Sequence, residues 1–177
     1  MRWLPALALM TLPAGADPLG LVDYDAVIAA HLDGGAATSR ITLEGGVVLT
    51  LDAEGALIDA RDPGDALGCL ANGLAELSAA ARICPGALSP GGADAVDTAI
   101  ARLIPVYAAG VRPDPADVAT VAERFEALVR TRMGDVLICG LTEHALFLRQ
   151  FLRTPEGQLW LDNALATPRL PVSDPCF

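Results

Sequence analysis

The chain contains no lysine: all twelve basic residues are arginine, against 22 acidic residues, and the formal net charge is −10. Such a balance lacks the clustered Lys/Arg that phosphate backbones and anionic lipid surfaces require, so nucleic acid is not an expected partner. Histidine is nearly missing as well. With only His31 and His144 in the sequence, a histidine-rich metal centre cannot be built from one chain, and no metal or cofactor is expected. Neither a GxSxG elbow nor an SxxK pair occurs, which excludes the recognised serine-hydrolase arrangements. The chain also has no CxxC, and the cysteine intervals of 15, 55 and 37 residues fit no zinc or thioredoxin-like spacing.

One apolar run stands out, at the amino terminus. Met1-Arg2 is a short basic start, Trp3 to Leu12 is apolar, and Ala14-Gly15-Ala16 is a small-residue cleavage motif. The run is too short to cross a bilayer core, which takes about 20 helical residues. It therefore predicts a cleavable export signal over 1–16, a single mature domain over 17–177, no membrane span after cleavage, and a periplasmic or secreted location. The even set Cys69, Cys84, Cys139 and Cys176 then reads as a disulfide framework.

Periodicity organises the rest. Val22 to Leu32 has helical spacing, and Asp33-Gly34-Gly35 supplies a stop. From Ser39 to Arg61 the period is two: Ile41 and Leu43, then Val47, Leu49 and Leu51, then Ala56, Ile58 and Ala60, with turns at Gly45-Gly46 and Asp52 to Gly55. This predicts a three-stranded antiparallel meander with one apolar face. Helical spacing returns at Leu67, Leu70, Leu74, Leu77 and Ala81, and again at Val96, Ile100 and Leu103, where Pro105 is expected to end or kink the helix. Asp114-Pro115-Ala116-Asp117 reads as a helix start, followed by the stripe Val118, Val121, Phe125, Leu128 and Val129, with Glu126 and Arg130 as an i,i+4 pair. Thr142 and Thr154-Pro155 start two further helices that form a hairpin, and 167–177 reads as an extended tail. The expected fold is α+β: the meander packed with four to five antiparallel helices and stapled by disulfides.

A continuous helix from Asp65 to Ile83 separates Cys69 and Cys84 by about 22 Å, far beyond the ~7 Å limit for bridged Cα atoms. Alternating helix directions bring Cys84 to the same end as Cys139, so the preferred pairs are Cys84 with Cys139 and Cys69 with Cys176.

Candidate chemistry is sparse. Glu143-His144 at a helix start are the candidate acid/base pair, with Asp135 as a possible third group, but adjacent helical residues point about 100° apart. The structural alternative has Glu143 opposing the helix dipole and His144 exposed or packed on the sheet. His31 in a last helical turn likewise suits a structural role. Asp52, Glu54 and Gly55 faintly resemble a calcium loop, and Asp59, Asp62 and Asp65 add carboxylates nearby, but the set positions and terminal Glu of an EF-hand are absent and the segment reads better as a hairpin turn. Trp160 and Tyr107 are candidate pocket residues, although aromatics at helical spacing usually belong to a core. The expected function is that of an exported, small, acidic, non-catalytic protein that binds a protein or small-molecule ligand. The alternatives are a periplasmic enzyme with an acid/base site around Glu143 and His144, or a thiol redox protein, which requires an exposed cysteine of depressed pKa.

Overall fold

The computed structural model describes residues 16–32 and 39–176. The signal-like residues 1–15 and the Asp33-Gly34-Gly35 stop lie outside them, as does Phe177. Helix α1 (Tyr24–His31) is followed by strands β1 (Arg40–Thr42), β2 (Val48–Leu51) and β3 (Leu57–Arg61). Helices α2 (Leu67–Ile83), α3 (Pro90–Gly110), α4 (Val118–Met133), α5 (Glu143–Phe151) and α6 (Pro155–Ala164) complete the α+β fold, with a short 3-10 turn over Ile138–Gly140.

The strands form one antiparallel sheet in the order β1-β2-β3, with Ile41 opposite Leu49 and Leu49 opposite Ala60. The apolar face differs from the sequence pattern at one strand. A register shift between Thr50 and Leu51 sets Leu51 opposite Leu57, so Leu57 packs on the sheet core while Ile58 is 51% exposed. An irregularity of one residue exchanges the faces of a strand, and period counting within β3 alone cannot detect it.

Two apolar clusters share α2 as a wall. One joins α1, the sheet, Ala66, Cys69, Leu170 and Val172; the other packs Leu67, Leu70, Leu74 and Leu77 against α3, α4, α5 and α6. Twelve of the 17 residues of α2 are buried, which makes it the central helix. Its small residues are what allow this enclosure. A Cβ on Gly68 would stand 2.6 Å from the Val172 carbonyl oxygen, and in its absence the Gly68 N–H donates to that carbonyl at 2.8 Å. The carboxy-terminal tail thereby satisfies a backbone donor at the start of α2, where Ala66 provides no side-chain cap.

Three local expectations are corrected. Helix α3, capped by Ser89, does not end at Pro105 but runs through it to Gly110. Pro105 and Ala101, whose carbonyl loses its helical partner, both face solvent, so water can replace the missing bond. The amino-terminal cap of α4 is Asp117 rather than Asp114, because the Asp117 carboxylate accepts from the amides of Ala119 and Thr120 at 3.0 and 3.2 Å. Glu126 bonds across to α2, where the Arg82 guanidinium grips it in a fork at 2.8 and 2.9 Å, instead of pairing with Arg130 along its own helix. The fork pulls the Glu126 carboxyl below its ordinary range.

The tail is an ordered strap. Asp174 makes a parallel bridge to Arg61, and the two side chains form an ion pair at 2.6 Å. Disulfides join Cys69 to Cys176 and Cys84 to Cys139. The Cys69 bridge ties the end of the strap to α2, and the Cys84 bridge ties the end of α2 to the 3-10 turn.

At the other end of the described chain, Asp17 is buried and its carboxylate accepts from the amides of Leu19 and Val22 at 2.9 and 3.0 Å, from the amide of Leu21, and from the Tyr107 hydroxyl. The Asp17 amide donates to the Tyr24 hydroxyl at 2.9 Å. Burial raises both phenols well above their ordinary range, and the Asp17 charge reinforces the shift at each. A phenol with a raised folded pKa contributes fully below the unfolded value of about 10, and that contribution is lost as pH rises above it. Each of the two tyrosines should therefore lower stability by about 1.4 kcal/mol per pH unit above pH ~10. In a base titration, tyrosinate absorbance should appear only together with loss of far-ultraviolet circular dichroism. Ionisation near pH ~10 in a chain with intact dichroism would contradict the burial of these hydroxyls.

Candidate functional site

Among the described residues, an aromatic-lined hollow lies where α5 meets α6. Thr142 caps α5 by accepting from the Ala145 amide at 3.2 Å, and this start places Glu143, Phe147 and Phe151 four residues apart on one helical face. Thr154 caps α6 in the same way through the Gly157 amide at 3.0 Å. Gly157 permits the close turn between the helices, since a Cβ there would fall 1.9 Å from the Phe151 carbonyl oxygen. The turn brings Trp160 to Phe151 with ring centroids 5.8 Å apart, while Phe151 and Phe147 are separated by 4.8 Å. Both pairs are tilted and lie within the centroid spacing at which aromatic rings attract.

These three rings, with Asp65 and Glu143, line a groove of about 500 Å³. Phe147 is 45% exposed, so a ring that helical spacing alone would assign to the core is presented to solvent. Asp65 arrives from the segment before α2, and its main chain is fixed because its carbonyl accepts from the Arg169 guanidinium. The groove contains two carboxylates and no base. None of the four ion pairs among the described residues uses Asp65 or Glu143; their acids are Asp174, Glu126, Asp162 and Asp62.

The acid/base candidates are dispersed. Glu143 lines the aromatic groove, whereas His144 turns toward α2, with Nε2 3.5 Å from Cys69 Sγ. Gly73 makes room there, since a Cβ would stand 2.7 Å from the imidazole Cδ2 and 2.5 Å from Leu148 Cδ1. His144 lines a small gap behind Trp160 together with Cys69 and Pro175. Asp135 belongs to a separate hollow of about 480 Å³ near Glu76, Arg132 and the Cys139 turn. The structure thus places Glu143, His144 and Asp135 along three different hollows.

The remaining candidates have local duties. His31 Nδ1 donates to the Val27 carbonyl at 2.8 Å, closing the end of α1. The Asp52 carboxylate accepts from the amides of Glu54 and Ala56 at 3.0 and 2.8 Å and so closes the second hairpin turn. Tyr107 is fully buried on Asp17, while Trp160 is a wall of the aromatic groove. Phe147, Phe151 and Asp65 are the groove residues that the spacing argument did not single out. The available signal was the coincidence of Glu143 with both phenylalanines on one stripe.

Among the described residues, no helix is long and apolar enough to cross a membrane. Compared with protein-family models, curated proteins and solved structures, the chain matches none.

Proposed function

We propose that this protein is an exported, non-catalytic binding protein that holds the apolar body of its ligand against Phe147, Phe151 and Trp160. The observation that carries this reading is the exposed aromatic groove itself: three tilted rings around about 500 Å³, a volume in the range of small-molecule sites. Glu143 lines the groove, His144 a small gap that adjoins it through Asp65 and Trp160, and Asp135 a separate hollow, a spread that favours binding over acid/base catalysis. Export is supported by the signal-like amino terminus and by two disulfides in a chain of this size.

One preparation tests the whole reading. The protein is recovered from the extracytoplasmic fraction, and its intact mass is expected to correspond to a chain beginning at Asp17. Removal of Trp3 leaves Trp160 as the sole tryptophan, so its emission reports the groove directly. Titration with the uncharged fluorophore N-phenylnaphthylamine should be saturable. Phe147→Ala should weaken it about tenfold, the scale of one aromatic contact, with the fold preserved because that ring is half exposed. An unchanged affinity in the folded variant would reject the groove, and a retained Met1 would reject cleavage.

A further inference from the structure

We infer that the ligand of the aromatic groove carries an alkylated ammonium group on a small apolar body. This rests on the groove being the binding site and adds the charge and chemistry of what fills it. The Phe151 ring centroid lies 4.8 Å from that of Phe147 and 5.8 Å from that of Trp160, so a cation seated beside Phe151 is close to a second ring. A cation within about 6 Å of a ring centroid is attracted by the ring quadrupole, most strongly by tryptophan. Asp65 and Glu143 supply negative charge at the same place, and no arginine lines the groove to cancel it. Their carboxylates are not consumed by the ion pairs of the described residues. The net charge of −10 adds a long-range field of the same sign.

The kind of cation follows from hydrogen-bond accounting. A guanidinium brings five N–H donors and a primary ammonium three, and any of them turned onto a ring loses water without gaining an acceptor oxygen. The walls are two phenyl rings and an indole, and the only carboxylate oxygens of the lining are those of Asp65 and Glu143. A fully alkylated ammonium has no donor to satisfy. It retains its charge, spreads it over methyl groups that pack on aromatic faces, and is weakly hydrated. The groove therefore selects it over a lysine or arginine side chain, and over an anion of the same shape.

The test compares three probes with one body: benzyltrimethylammonium, its uncharged carbon isostere neopentylbenzene, and phenylmethanesulfonate. Each is titrated into the mature protein, followed by Trp160 emission and calorimetry. The cation is expected to bind about tenfold more tightly than the isostere, the sulfonate most weakly, and added salt should weaken the cation alone. Glu143→Gln and Asp65→Asn should each reduce the cation's affinity about threefold, leaving the isostere unchanged, which separates loss of charge from loss of fold. Equal affinities for cation and isostere would overturn the cation while leaving the groove reading intact. Saturable binding of none of the three would overturn the inference, and the groove reading with it if N-phenylnaphthylamine also fails to bind. Sedimentation that finds a dimer with Trp160 shielded and no probe bound would assign the groove to a second copy of the chain and overturn the inference.

Discussion

Arg169→Met is expected to destabilise the domain by about 3–5 kcal/mol, the range for breaking a buried ion pair from one side. Arg169 is 9% exposed and its partner Asp62 only 1%. The guanidinium also donates to the Ala164 carbonyl at 2.8 Å and to the Asp65 carbonyl, so one side chain joins the end of α6, the tail, the segment after β3 and the entry to α2. Methionine fills much of the volume but leaves the Asp62 carboxylate buried without its countercharge. Adding Asp62→Leu should recover a large part of the loss, because a buried pair replaced by apolar groups of similar size is often neutral. Arg169→Lys should not rescue, since an ammonium cannot reproduce the planar fork. Urea denaturation of the two single variants and the double variant measures the coupling. A loss below about 1 kcal/mol in Arg169→Met would show that the pair holds nothing in place.

Replacing Cys84 and Cys139 together by alanine should cost about 4 kcal/mol, and replacing Cys69 and Cys176 slightly more, through freedom regained by the unfolded chain. The difference follows from the sequence separations of 55 and 107 residues. Neither Cys84 nor Cys139 lines the aromatic groove, so probe affinity in that double variant should match the parent wherever the variant remains folded. The Cys69 bridge lies nearer, sharing a gap with Trp160 and His144, and its removal frees the strap that carries Leu170 and Val172 over the sheet. Denaturation and Trp160 titration on the same samples separate stability from binding. Loss of binding in a fully folded Cys84→Ala/Cys139→Ala chain would favour a thiol redox role over a structural one.

Much of the architecture is carried by interactions that reach no further than a few residues along the chain. Thr142 and Thr154 cap their helices through amides three residues on, and Asp52 closes a turn through Glu54 and Ala56. Apolar periods of two and of about 3.6 sort the strands from the helices, which is why the α+β class and the order of elements are readable from the amino-acid sequence. Local signals that compete are ranked by the fold. Asp114 and Asp117 are both chemically able to cap α4, Pro105 is compatible with a break or with passage through α3, and Glu126 has an arginine within reach both on its own helix and on α2. Each choice depends on what packs nearby.

The groove belongs to that second category entirely. Its walls come from Asp65 and from Glu143, Phe147, Phe151 and Trp160, brought together by the near contact at Gly157 and by the anchoring of Asp65 through Arg169. An i,i+4 pair of phenylalanines has the same pattern whether another element covers it or not. Sequence determines that the stripe exists, because the spacing of residues on a helix is an intrachain property. Only the tertiary structure decides that no element of the described chain closes over the stripe and that two carboxylates stand beside it, because coverage and neighbouring charge are set by segments far apart along the backbone.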